Sequence, residues 1–219
     1  MRDSLVEELP VPQRLALTYS PAEMRGMTLA LLALDTRCGT IIRQAREPIL
    51  AQMRLAWWRE LLQKPCDEWP TGDPLIELLG AWAGEAPALV NLVESWETLL
   101  SDFPLKHEHM DSFASGRGTA FAALARLAGE EEYVESVRQA GHCWGLVDLA
   151  QGLSNPEERA MAFALAEREA ISRWNLPRKL RTLAVLGGLA RRSMAKGGRP
   201  LLSGPGDMVV ALRLGMIGR

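Results

Sequence analysis

The chain has no apolar run approaching the roughly 18–20 residues needed to cross a bilayer, so no membrane-spanning helix is expected. Strict apolar–polar alternation is absent and β-branched residues are sparse beside Ala, Leu, Arg and Glu, which disfavours strands. Only three cysteines occur, Cys38, Cys66 and Cys143. An odd count without metal-ligand spacing supports neither a disulfide framework nor a zinc site, and reads as reduced, mostly buried thiols. The start, Met1 to Glu8, is acidic and lacks a signal peptide's apolar core, so the expected location is cytoplasmic. No serine sits in a nucleophile elbow. Gly197-Gly198 and Gly204-Pro205-Gly206 lack the strand–loop–helix context of a phosphate loop. Arg191-Arg192 and Lys196 form a short basic run without interleaved aromatics, so no nucleic-acid partner is expected. His107, His109, His142 and Cys143 never fall at the i, i+4 spacing of a helical metal site, and solvated or capping roles are expected for them.

What is present is helix. A length of 219 residues suits one domain, and 47% hydrophobic content suffices for a sizeable core. Ser20-Pro21-Ala22-Glu23 reads as a capping box opening a helix toward Arg46, with Met24, Met27, Leu31, Leu34, Cys38, Ile41 and Ile42 on one face. Pro48 and Lys64-Pro65 bracket a helix over 48–63. Asp73-Pro74 and Ala86-Pro87 open two more, the second with Leu89, Val93, Trp96 and Leu100 inward. A helical stretch over 105–128 contains Gly116 and Gly118, where a kink is expected. Further helices are expected from Glu130 to Leu153, from Asn155-Pro156 to Trp174, from Leu176-Pro177 through Met194, and over 206–215. The fold class is all-α, a helical bundle, divided as an N-terminal segment 1–19, a helical domain 20–200 and a tail 201–219.

Charge is unevenly spread. Residues 168–219 hold 11 Lys and Arg against two acids, a local +9, while the remainder carries 14 basic and 25 acidic residues, or −11. The basic quarter either packs on the acidic part or approaches an anionic membrane surface or an acidic partner.

The most specific stretch is Glu47-Pro48-Ile49-Leu50-Ala51-Gln52-Met53-Arg54-Leu55-Ala56-Trp57-Trp58-Arg59-Glu60. Leu50, Met53, Trp57 and Leu61 are spaced as a buried face, and Arg54 is four residues from Trp58, within reach of stacking on its indole. The segment resembles the Trp-Trp helix of the squalene/phytoene synthase superfamily, in the proteobacterial and mitochondrial branch that includes a respiratory complex I assembly factor. Weaker similarity in the same order covers Ser112 to Gly118 with Phe121, Trp174 to Leu183, and Leu212 to Arg219, so the resemblance spans roughly 20–219. It implies an isoprenoid (terpenoid) synthase-like bundle.

Catalytic members of that superfamily hold diphosphates through Mg²⁺ bound by aspartates on an early and a late helix, because Mg²⁺ takes hard oxygen ligands. Aligned without gaps by Leu32-Ala33-Leu34, the early Asp positions fall on Gly39, Thr40 and Arg43. Aligned by Gly141 and Leu146, the late Arg-Asp falls on Gln151-Gly152 and the next Asp on Pro156. The resemblance therefore implies a pseudoenzyme without catalytic residues or cofactor, binding a protein partner as an assembly factor does, or an apolar lipid or isoprenoid. Residual cavity candidates are Asp35, Arg54, Trp57, Trp58, Trp144 and Asp148. Asp35 and Asp148 either pair with Arg54 or another base inside the bundle or act as weak metal ligands. The alternative is an active prenyltransferase, using Mg²⁺ on Asp35, Asp148 and Glu47 with Arg43 and Arg54 on phosphate.

Overall fold

Helices α7 (His107–Leu127) and α8 (Val134–Gly152) form the most extensive pairing in the molecule, and small residues make it possible. A Cβ on Gly118 would lie 2.7 Å from the Arg138 carbonyl oxygen, one on Gly141 3.1 Å from the Gly118 Cα, and one on Gly145 3.2 Å from the Ala114 Cα. The two backbones meet where side chains would hold them apart. Helix α7 is continuous, so Gly116 and Gly118 do not interrupt it as expected. They serve close approach instead, Gly116 facing Ser95 and Gly118 facing α8.

A computed structural model describes residues 2–101, 103–171 and 174–217. Around the central pair the chain adds α1 (Arg2–Glu8), α2 (Val11–Leu17), α3 (Ala22–Gln44), α4 (Pro48–Gln63), α5 (Pro74–Leu79) and α6 (Ala86–Glu97) before it. It adds α9 (Pro156–Ala170), α10 (Arg181–Ala195) and α11 (Pro205–Met216) after it. Short 3-10 turns join several of them, and no strand occurs among the described residues. The fold is all-α, and buried side chains from Leu5 to Ala211 belong to one core. No helix among the described residues is long and apolar enough to cross a membrane.

Several ends follow their chemistry. The Asp73 carboxylate accepts from the Leu75 and Ile76 amides at the start of α5, and Asn155 accepts from the Glu157 amide at the start of α9. Ser20 does not cap α3; its hydroxyl turns to Thr28 Oγ1. The first 19 residues contribute α1 and α2, with Leu5, Ala16 and Leu17 of these helices and Leu9 between them buried.

Helix α4 has the expected bounds but not the expected face. Ala51, Leu55, Trp58, Leu61 and Leu62 are buried, whereas Ile49, Leu50, Met53 and Trp57 face solvent. Trp57 meets the edge of Trp58 with ring centroids 5.1 Å apart. Arg54 is exposed and does not stack on Trp58. Among the described residues the arginine–ring contacts belong to Arg117 and Arg191.

Helix α11 is fastened by Asp207. Its carboxylate accepts from the Ser203 amide at 2.8 Å, the Ser203 hydroxyl at 3.0 Å and the Gly204 amide at 3.1 Å, and pairs with Arg192. The Ser203 backbone bond first, then Arg192, holds the carboxyl far below the usual carboxylate range. A depressed folded pKa contributes stability above the unfolded value, about 3.9, and that stability is lost as pH falls through the folded value. Hydrogen exchange of α11 amides is therefore expected to stay constant from neutral pH to about pH 4, after correction for intrinsic rates, and to accelerate below it. Asp207→Asn is expected to reproduce the acceleration at neutral pH; unchanged protection would show that α11 does not depend on this carboxylate.

Candidate functional site

The long apolar helix α3 presents one buried carboxylate, Asp35, toward α7. The reason it tolerates burial is Arg117, itself buried, on the turn of α7 between Gly116 and Gly118. Arg117 Nε donates to Asp35 Oδ1 and Nη2 to Oδ2, both at 2.9 Å, a bidentate pair. Its third arm, Nη1, donates to Asp148 Oδ2 on α8 at 2.7 Å. The Trp96 indole N–H, from α6, also donates to Asp35 Oδ1 at 2.9 Å. Four helices thus converge on one guanidinium.

Aromatic rings complete the enclosure. The Arg117 guanidinium carbon lies 4.6 Å from the Phe113 ring centroid, 4.5 Å from Trp144 and 5.2 Å from Trp96. Burial disfavours the charged guanidinium, yet Asp35 and Asp148 together hold its pKa above the usual arginine value. Burial pushes the Asp35 carboxyl above its ordinary value, against the pull of Arg117. The bidentate geometry keeps the pair ionised at neutral pH.

On one side of this cluster, among Leu31, Leu32, Leu92 and Phe121, no space remains for a water molecule. On the other side a cleft of about 210 Å³ opens between α3, α6, α7 and α8, lined by Gly39, Ile42, Arg43, Phe113, Asp148 and Leu149 among others. Of the expected site residues, Asp35, Asp148 and Trp144 come together. Trp58 lies in the core on α4, and Arg54 and Trp57 lie on the outer face of that helix, so the Trp-Trp helix does not line this cleft. The base that pairs the two aspartates is Arg117, not Arg54. In the sequence Arg117 lies within the Ser112–Gly118 segment, where nothing gives it a role of its own. Its signal was an arginine set between two glycines, with Phe113 and Phe121 one turn away on the same face.

The residues do not fit a Mg²⁺ site. Both Asp35 oxygens are engaged by protein donors, and the bond to Asp148 comes from the same guanidinium. Glu47 is exposed at the start of α4 and is not among the cleft residues. Arg43 Nη2 donates to Thr40 Oγ1 at 3.3 Å, and Thr40 Oγ1 donates to the Thr36 carbonyl at 2.9 Å. Gln151 fastens α8 to the loop at Gly198 and Arg199. Among the described residues no three His, Cys, Asp or Glu side chains are placed to hold a metal. His142 Nε2 lies 3.1 Å from Asp111 of α7, and His107 and His109 stand at the start of that helix.

The buried cysteines carry no nucleophile. Burial pushes the Cys38 thiol well above the usual thiol range and Cys143 up to about 12, so both stay protonated at neutral pH. Comparison with protein-family models, with curated proteins and with solved structures returns no match.

Proposed function

We propose that the protein is a non-catalytic, squalene/phytoene synthase-like helical protein whose work is to bind a partner protein, as an assembly factor does. One observation carries the reading: the Arg117 guanidinium stands between the early-helix Asp35 and the late-helix Asp148, where a diphosphate-bound metal would need room and free oxygens. A fixed cation that belongs to the chain satisfies both carboxylates. An isoprenoid synthase-like bundle is compatible with the all-α architecture, and in this reading its reaction cavity is closed by its own side chains. The cleft that remains, about 210 Å³, lies below the roughly 300–1,000 Å³ of typical small-ligand pockets, which favours a protein over an isoprenoid as the bound partner. The exposed apolar stripe of Ile49, Leu50, Met53 and Trp57 on α4 is surface of the kind a partner covers.

Calorimetric titration with farnesyl diphosphate, with and without Mg²⁺, tests this. No heat of binding is expected in either condition. Binding that requires Mg²⁺ would overturn the reading in favour of a prenyltransferase. Binding independent of Mg²⁺ would replace the partner protein with an apolar ligand.

A further inference from the structure

Helix α11 is anchored on one side and open on the other. Asp207 and Ala211 are buried, Leu214 packs over Gly188, Tyr19 packs on Gly215, and Arg181 Nη1 donates to the carbonyls of Leu214 and Gly215 at 3.2 and 2.9 Å. Its orientation is therefore fixed. The opposite face presents Met208, Val209, Leu212 and Met216, continued by Ile217, all between 50 and 68% exposed, with Arg213 among them. At 100° per residue these side chains occupy one half of the helix circumference. A water-facing helix would carry its polar residues there. This one carries no acid there, because its single carboxylate, Asp207, is turned inward.

Beside that face runs a groove of about 520 Å³ between α10 and α11. Arg191, Arg192 and Arg213 line it together with Trp174, Val210 and Leu214. Arg191 lies over the Trp174 ring at 3.7 Å, and Arg192 is the partner of Asp207. Residues 170–217 contain no acid except Asp207, so the segment that forms α10 and α11 is basic. An apolar ridge edged by arginines matches the layered chemistry of an anionic bilayer, acyl boundary below and phosphate above. An acidic protein groove would match both halves over a limited area; a phospholipid surface matches them over a continuous one.

We propose that the outward face of α11 seats on the surface of an anionic phospholipid bilayer, with Met208, Val209, Leu212 and Met216 at the acyl boundary and Arg213 and the groove arginines at the phosphates. The helix lies in the plane of the interface and does not cross it. This inference concerns a different surface from the Arg117 cluster and stands or falls independently of the proposed function.

The test is co-sedimentation of the full chain with phosphatidylcholine vesicles, with and without phosphatidylglycerol, at low and high salt. Binding is expected to the phosphatidylglycerol vesicles, to weaken at high salt, and to be weak on pure phosphatidylcholine. Leu212→Glu with Met216→Glu is expected to lower vesicle affinity at least about tenfold, since it removes apolar contact and adds repulsion. Both positions are exposed, and an unchanged circular dichroism melt would show the fold intact; Arg213→Glu, a milder change, is expected to reduce the salt-sensitive part. No sedimentation with phosphatidylglycerol vesicles would overturn the proposal, as would equal binding to both vesicle types or an undiminished double variant. A dimer in light scattering that Leu212→Glu abolishes, without vesicle binding, would assign the face to a second copy instead.

Discussion

Arg117→Ala is expected to lower the unfolding free energy at pH 7 by about 3–5 kcal/mol, the usual cost of leaving one partner of a buried ion pair alone. Asp35 would keep only the Trp96 indole N–H as a donor from the present set, with water excluded on its inner side. Asp148 is about one-third exposed and would be rescued by solvent, so the loss centres on Asp35. The deficit should depend on pH in a stated direction. With the guanidinium gone, burial and then the Asp148 charge raise the folded pKa of Asp35, opposed only by the Trp96 hydrogen bond. A raised carboxyl pKa means that stability is full below the unfolded value, about 3.9, and is lost as pH rises through the folded value. The variant should therefore approach the parent as the pH is lowered toward 4, by urea unfolding. Arg117→Met combined with Asp35→Leu removes both buried charges of the cluster and should recover most of the loss at pH 7. A single variant as stable as the parent at pH 7 would show that the cluster is not held by charge pairing.

Two glycine-to-alanine changes inside helices should move stability in opposite directions. At Gly118 the new methyl would stand 2.7 Å from the Arg138 carbonyl oxygen, a backbone atom that cannot rotate away. Helices α7 and α8 would have to separate, at a cost of about 1–3 kcal/mol for overpacking. The separation would also stretch the 2.7 Å bond from Arg117 to Asp148, so Gly118→Ala and Asp148→Ala should be non-additive in a double-mutant cycle. At Gly26 in α3 the nearest atom to the new methyl is Leu78 Cδ2 at 4.0 Å, an ordinary contact. Gly26→Ala should therefore stabilise by about 0.4–1 kcal/mol through the unfolded chain's lost freedom. If both changes had the same sign, the close approach of α7 and α8 would not be what Gly118 provides.

Helix boundaries were legible where chemistry marks them. Pro48 and Lys64-Pro65 delimit α4, and Asp73 and Asn155 announce the starts of α5 and α9. Faces were less legible. In α4, Leu50, Met53 and Trp57 have helical spacing, but so do Ala51, Leu55, Trp58 and Leu62, and periodicity cannot choose between two apolar stripes on one helix. Small residues were misread for a related reason: Gly116 and Gly118 look like helix weakeners until a neighbouring backbone is placed against them. At the site, the sequence singled out Asp35 and Asp148 as a pair needing a base. It did not name Arg117, because the contacts that matter join α7 to α3 and α8 across 82 and 31 residues, and the glycines flanking Arg117 read as helix weakeners until a neighbour is placed against them. The helices of the first 19 residues were missed because each is only seven residues long, too short for a periodic signal.

The Arg117 cluster also governs the order in which the chain can be completed. Arg117 follows Asp35 by 82 residues and precedes Asp148 by 31. At synthesis rates of about 5–20 residues per second, Asp35 leaves the ribosome roughly 6–23 s before the last member of its cluster. During that interval α3 can already pack on α1, α4, α5 and α6, but Asp35 has no guanidinium beside it. The N-terminal helices can therefore gather early, with Asp35 left open to water until the second half of the chain delivers the cation that makes its burial affordable.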